Sequence, residues 1–227
     1  MNKTTYFITG ASDGLGEALA KLLLKNGDAV VGLSRTRPAL DIEWIPLDLT
    51  NGESVSAAAD QILASAKSAG GGLSMINCAG VHSYEAARPT WDELERVFRT
   101  HAIGPILLEY KLIDWIKKVA GEIVNVTSTN CHRAAPGEMF YGASKWSIRG
   151  FTKTLSEIFK GTKARAVEFC PGGFYTKIGA KVGDPIADPA DWMPLDDVAE
   201  TLFGVIKTPR TMEISEIVVN RKTRNRR

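Results

Sequence analysis

The sequence predicts a single doubly wound α/β domain, a seven-stranded parallel sheet flanked by helices. Short apolar or β-branched runs alternate with longer segments of helical period along the chain. The strand-like runs are continuously apolar rather than alternating, as strands covered on both faces should be. No linker, repeat or low-complexity stretch divides the 227 residues, whose 44% hydrophobic content suffices for one full core. Such alternation implies right-handed crossovers and a parallel sheet. The expected domain covers residues 1–220, and residues 221–227 form a basic C-terminal tail.

The elements are expected in this order. "TYFITG" is the first strand, followed by a helix from Leu15 to Asn26 that Gly27 ends. "AVVGLS" and "IEWIPLDL" are the second and third strands, and residues 53–69 an Ala-rich helix. "LSMINCAG" is the fourth strand. Residues 91–119 have helical spacing, interrupted at Gly104-Pro105. "EIVNVTS" is the fifth strand, with a helix from about Phe140 to Lys160 after a loop. "ARAVEFCPGG" is the sixth strand, Leu195 to Ile206 the last helix and "EISEIVVN" the seventh strand.

The net charge of +2 gives no bias toward nucleic acid or membranes. Arg221, Lys222, Arg224, Arg226 and Arg227 form a short basic run of the kind usually solvated, so no nucleic-acid partner is expected. Cys78, Cys131 and Cys170 are odd in number and widely spaced, which points to reduced, intracellular usage. The N-terminus has no signal-peptide pattern and no apolar run is long enough to span a bilayer. A cytoplasmic location without membrane contact is expected.

Between the first strand and first helix, "TGASDGLG" places Gly10, Gly14 and Gly16. Gly10 permits a tight turn, Gly14 close backbone approach and Gly16 helix–strand packing, while the helix beginning near Leu15 presents its positive end to a pyrophosphate. About twenty residues further on, at the end of the second strand, an acidic residue would hold a free ribose hydroxyl. Ser34 stands there instead, followed by Arg35. A guanidinium suits a 2′-phosphate, so NADP(H) is expected over NAD(H), although Asp13 within the glycine loop argues the other way.

Tyr141 and Lys145 in "EMFYGASKWS" are separated by Gly142, Ala143 and Ser144. On a helix the two side chains leave one face roughly 6 Å apart along the axis, and the ammonium is expected to lower the phenol pKa. Alone, such a pair is an ordinary surface feature; here it lies near the other motifs.

Those motifs together resemble the short-chain dehydrogenase/reductase family over essentially the whole chain. The residues carrying the resemblance are "TGASDGLG", "NCAG" at 77–80, Ser128 thirteen residues before Tyr141, the Tyr141–Lys145 spacing and "PGG" after the sixth strand. The resemblance implies a Rossmann-type fold, a dimer or tetramer, and a small-molecule carbonyl or alcohol substrate. It implies Tyr141 as proton donor or acceptor, Lys145 as the group that lowers its pKa and binds the nicotinamide ribose, and Ser128 as donor to the substrate carbonyl. The glycine turn, with Ser12 and Asp13, would hold the phosphates. Asp48 and Leu49 would contact the adenine, and Asn77, Ala79 and Gly80 the adenine-side ribose. Pro171 and Gly172 would line the nicotinamide, and Thr176 would reach its carboxamide.

One position departs from the family pattern. His101 stands where the family carries an Asn that holds a water in the proton path, so a relay from His101 toward Lys145 is expected. His82 and His132 have no metal-ligand spacing and at most border the pocket. The segment "KIGAKVGDPIADPAD" reads as a lean substrate lid, and Trp192 and Met193 as core residues rather than pocket walls. The function expected is hydride transfer between NADP(H) and a carbonyl or alcohol; the alternative is a non-catalytic NADP(H)-binding regulator.

Overall fold

The computed structural model describes residues 4–81, 90–133, 136–176 and 192–222. Seven strands, β1 (Thr4–Thr9), β2 (Ala29–Ser34), β3 (Glu43–Pro46), β4 (Gly72–Asn77), β5 (Glu122–Val126), β6 (Arg165–Pro171) and β7 (Glu216–Val219), form one sheet. Their order is β3-β2-β1-β4-β5-β6-β7 and every pairing is parallel. The order reverses between β1 and β4, which opens a crevice at their carboxyl ends.

Helices cover both faces, as the apolar strands require. Alternate residues of β1 face opposite ways: Phe7 joins the core beneath α2 (Gly52–Ser68), α4 (Gly104–Lys118) and α5 (Met139–Phe159), while Tyr6 and Ile8 join the core beneath α1 (Gly14–Lys25) and α6 (Leu195–Ile206). Met193 belongs to the second core, as expected. Two helix starts on the α2 side are capped by side chains: Asn51 accepts from Ser54 N at 2.9 Å, and Thr90 and Glu93 form a reciprocal box at the start of α3 (Trp91–Phe98). Gly27, at φ +79°, closes α1 in the left-handed region.

The expected interruption at Gly104-Pro105 takes a different form. α3 runs into α4 through a π-type segment, Arg99–Ile103, with Gly104 N–H donating to Arg99 O. Pro105 lacks an N–H and would crowd the carbonyl four residues earlier, so the widened turn absorbs it without breaking the helix. A Cβ on Gly104 would lie 2.3 Å from Leu49 O, so this turn passes close against the loop after β3. β3 itself has only four residues, shorter than the apolar run "IEWIPLDL" suggests. The run bends away after Pro46, and Asp48 there folds back on Thr50.

Away from the crevice, Glu122 at the start of β5 is fully buried and accepts from Arg165 Nε at 2.8 Å, Arg210 Nη2 at 3.0 Å and Ser74 Oγ at 2.7 Å. This network fastens the amino ends of β4, β5 and β6.

Candidate active site

The glycine turn is built as its spacing predicts. Gly10 has φ +72°, and a Cβ there would meet Ala79 Cα at 2.9 Å, so the turn lies directly against the segment after β4. A Cβ on Gly16 would meet Gly10 O at 2.5 Å. Gly14, at φ +58°, faces only the Thr176 methyl at 3.7 Å, leaving room over the start of α1. Asp13 caps α1, its Oδ1 accepting from Gly14 N at 2.8 Å. The next N–H groups, of Leu15 and Gly16, have no acceptor within the helix. Ser12 is half-buried in the same turn. These features fit a pyrophosphate at the helix start.

At the end of β2, Ser34 is buried and donates to Thr36 O at 2.6 Å, while Arg35 is exposed. Asp48 Oδ1 accepts from Thr50 N at 2.9 Å and Thr50 Oγ1 at 2.7 Å. Burial pushes the Asp48 carboxyl up, but the two Thr50 bonds and the nearby Arg35 charge outweigh it and hold the carboxyl below its usual range. The Asp48 carboxylate is thus engaged by its own loop. Leu49 is buried beside it.

Asn77 ends β4 with its side chain inside the protein. Its Nδ2 donates to Glu109 Oε1 at 2.6 Å and Asn125 Oδ1 at 2.9 Å, and Asn125 Nδ2 donates to Glu109 Oε2 at 3.2 Å. Asn125 also reaches Thr152 Oγ1 at 2.8 Å on α5. Thr9 Oγ1 accepts from Ala79 N at 3.1 Å, so the same network positions Ala79 and Gly80 at the crevice. The side chain of Asn77 thus fastens the floor of the crevice rather than facing a ribose. Burial pushes the Glu109 carboxyl up to about 8, against the Asn125 bond. Glu109 was legible in principle, since it lies with Pro105, Leu112 and Ile116 at helical spacing on the buried face of α4.

Ser128, Tyr141 and Lys145 converge at the carboxyl ends of β4 and β5. Ser128 is buried, accepts from Asn130 N at 3.2 Å and hydrogen-bonds the Tyr141 hydroxyl. Lys145 Nζ donates to Val126 O at 3.0 Å and lies 5.8 Å from the Tyr141 ring centre. Trp146 Nε1 donates to Asn130 O at 3.0 Å, holding the Ser128 loop against α5.

The electrostatics correct one expectation. The Tyr141 ring is half-buried, and desolvation of its hydroxyl drives the phenol pKa up; the Ser128 bond opposes this and Glu138 adds to it. The ammonium of Lys145 donates to the Val126 carbonyl and lies near the ring of Tyr141. Burial instead pushes Lys145 down to about 8.

His101 occupies the expected register but its ring nitrogens serve other partners. Val81 N–H donates to Nε2 at 2.9 Å. Nδ1 lies 2.9 Å from Ser144 Oγ, and that hydroxyl donates to Tyr141 O at 2.7 Å. This accounting makes the imidazole neutral with its proton on Nδ1. The ring also stands edge-on to Tyr141, 5.4 Å between centres. His101 therefore buttresses the Tyr141 turn and the loop after β4, and these bonds do not lead to Lys145.

At the end of β6, Pro171 and Gly172 are buried, and Gly172 N donates to Val219 O at 2.7 Å. Thr176 reaches back over Gly14. The six-membered ring of Trp192 packs on Gly173. His82, the segment "KIGAKVGDPIADPAD" and the end of the basic tail lie outside the described residues. No described helix is long and apolar enough to cross a membrane.

A doubly wound sheet with a glycine turn at its switch point and a serine, tyrosine and lysine over the same crevice defines a dinucleotide-type oxidoreductase. Residues 4–186 match the profile of the family described as short chain dehydrogenase, and this chain belongs to that family. It is 26% identical over 227 residues to an uncharacterized oxidoreductase of Staphylococcus aureus (strain N315), covering 93% of this chain and 94% of that one. It is 29% identical over 187 residues to the (S)-benzoin-forming benzil reductase of Bacillus subtilis (strain 168), covering 78% of this chain and 77% of the other. An alcohol dehydrogenase from the archaeon Thermococcus sibiricus, solved with 5-hydroxy-NADP, superposes with a TM-score of 0.82 at 21% identity over 96% of each chain.

Proposed function

We propose that this oxidoreductase transfers a hydride between NADP(H) and a carbonyl or alcohol substrate, with Tyr141 giving the proton in reduction and taking it in oxidation. The convergence of Ser128, Tyr141 and Lys145 beside the glycine turn carries this reading. When bound, the nicotinamide supplies or accepts the hydride. The developing charge on the substrate oxygen needs donors already aimed at it, and the Ser128 and Tyr141 hydroxyls provide them. A raised phenol pKa keeps Tyr141 protonated at neutral pH, which suits donation to a carbonyl. Lys145 spends one of its three N–H donors on Val126 O, leaving two for ribose hydroxyls.

The choice of NADP(H) rests on exposed Arg35 beside Ser34 at the end of β2. The benzil reductase relative supports a ketone as the oxidised substrate. A cytoplasmic location fits the free cysteines. Self-association fits the apolar side chains left exposed at Ile103, Tyr110 and Trp146. The test is NADPH and NADH oxidation against a panel of aldehydes, ketones and diketones. The reading predicts turnover with NADPH favoured; a clear preference for NADH would remove the assignment to Arg35.

A further inference from the structure

Beneath the Ser128 loop, on the α5 side of β6 and β7, three potential metal ligands meet, with Glu216 beside one of them. His132 Nε2 lies 3.4 Å from Cys170 Sγ and 3.3 Å from Glu216 Oε1. Cys170 Sγ lies 3.2 Å from Glu168 Oε1. The donor atoms of His132, Glu168 and Cys170 all fall within 4.8 Å of one another. Zinc bond lengths of about 2.3 Å to sulfur and 2.0–2.2 Å to nitrogen and oxygen, at tetrahedral angles, place ligand atoms roughly 3.3–3.6 Å apart. The His132–Cys170 and Cys170–Glu168 separations, 3.4 and 3.2 Å, are within a few tenths of an ångström of that frame.

We propose that His132, Glu168 and Cys170 form a zinc site that fastens the Ser128-bearing loop to β6, with Glu216 beside His132. The donor set of one thiolate, one imidazole and one carboxylate suits a borderline-soft ion rather than calcium or magnesium. Glu168 and Cys170 point to one face because they are two residues apart on a strand. His132 follows Ser128 by four residues, so an ion would join its loop to β6, and Glu216 at the start of β7 lies 3.3 Å from His132 Nε2.

The surroundings complete the site. Glu168 is buried, and its Oε2 makes no hydrogen bond, although Arg149 Nε lies 3.4 Å away. Thr127 Oγ1 lies 3.1 Å from both Glu168 Oε1 and Cys170 Sγ and would hold the ligands in place. Lys153 Nζ, 2.8 Å from Glu216 Oε2, and Arg149 offset the two carboxylates. Binding releases the Cys170 proton, so a thiolate and a divalent ion together add one positive charge to a neutral cluster. The His132 and Glu216 side chains are each 26% exposed, which gives the ion a way in. This site is separate from Tyr141 and Lys145, and metal binding does not depend on the hydride-transfer reading.

The test uses the full chain, reduced and freed of metal by dialysis against a chelator. Cobalt(II) should bind one equivalent, giving a thiolate-to-cobalt charge-transfer band and the visible bands of a tetrahedral ion, and zinc should displace it. Cys78→Ser should keep the charge-transfer band and Cys170→Ser should lose it. His132→Ala, at a partly exposed position, should lower zinc affinity by about 100-fold or more, measured by competition with a chromophoric chelator, with the metal-free melting temperature unchanged. Should Cys170→Ser fail to fold, His132→Ala decides alone. A missing thiolate band in the wild type, or zinc affinity unchanged in His132→Ala, would overturn the proposal.

Discussion

Replacing Glu109 with Gln should remove most of the protein's pH-dependent stability between pH 5 and 8. Glu109 is fully buried and held by two asparagine amides, at 2.6 Å and 3.2 Å, with no cation among its described contacts. Burial moves its carboxyl from 4.5 to about 8. A folded-state pKa above the unfolded value means that, between those limits, the folded chain keeps a proton the unfolded chain has released. Stability therefore falls as pH rises across this window and is level outside it. At 1.36 kcal/mol per pH unit the full effect is about 5 kcal/mol, and adjustment of the asparagines toward the charge brings the expected loss to about 3–5 kcal/mol. Glutamine keeps the shape and cannot ionise; its amide sets a donor against one asparagine amide, a cost that is the same at every pH. Urea unfolding at pH 5, 6, 7 and 8 checks this, with the wild type losing that amount and Glu109→Gln changing by less than about 1 kcal/mol. Parallel pH profiles for the two proteins would refute the reasoning.

Three further outcomes follow from the site. Arg35→Ala should weaken NADPH binding by about 2 kcal/mol and hardly affect NADH, read by cofactor titration; equal losses would make Arg35 structural. Lys145, pushed down to about 8, should lose its charge as pH rises through that value, so NADPH affinity should drop about tenfold from pH 7 to 9.5 in the wild type and stay level in Lys145→Met. Because this pKa is depressed from 10.5, the cofactor-free protein should gain stability from the same group between pH 8 and 10.5. His101→Leu leaves Val81 N–H and Ser144 without their partner and should cost about 2–3 kcal/mol with about tenfold lower turnover, while His101→Asn should restore much of both; full stability in His101→Leu would contradict the buttress.

Much of the fold was legible because strands buried on both faces must be apolar and helices must be periodic. The last helix, Leu195–Ile206, lies where its pattern places it. The glycine turn, Tyr141 and Lys145 were legible because local spacing alone sets their geometry. What the sequence hid depends on contacts between distant segments. The Asn77–Glu109–Asn125 network joins residues 32 and 16 positions apart, and nothing local to Asn77 shows that its amide turns inward. The direction of the Tyr141 shift was missed because four residues of spacing fix the distance to Lys145 along a helix but not how deeply the phenol hydroxyl is buried. The His101 partners, Val81 and Ser144, likewise come from two other elements. The π-type segment reflects how a helix absorbs Pro105, which the position of the proline alone leaves open between a break and a bulge.

The central claim is that Tyr141 delivers the proton in a hydride transfer from NADPH, and deuterium labelling tests it most directly. NADPH carrying deuterium at the transferring C4 position, incubated with benzil and a panel of simple ketones, should place one deuterium on the carbinol carbon of the product. Tyr141→Phe should form that product about 10² to 10⁴-fold more slowly while binding NADPH nearly as well, since it loses a positioned acid and little else. No deuterated alcohol from any substrate, or formation by Tyr141→Phe at the wild-type rate, would contradict the account.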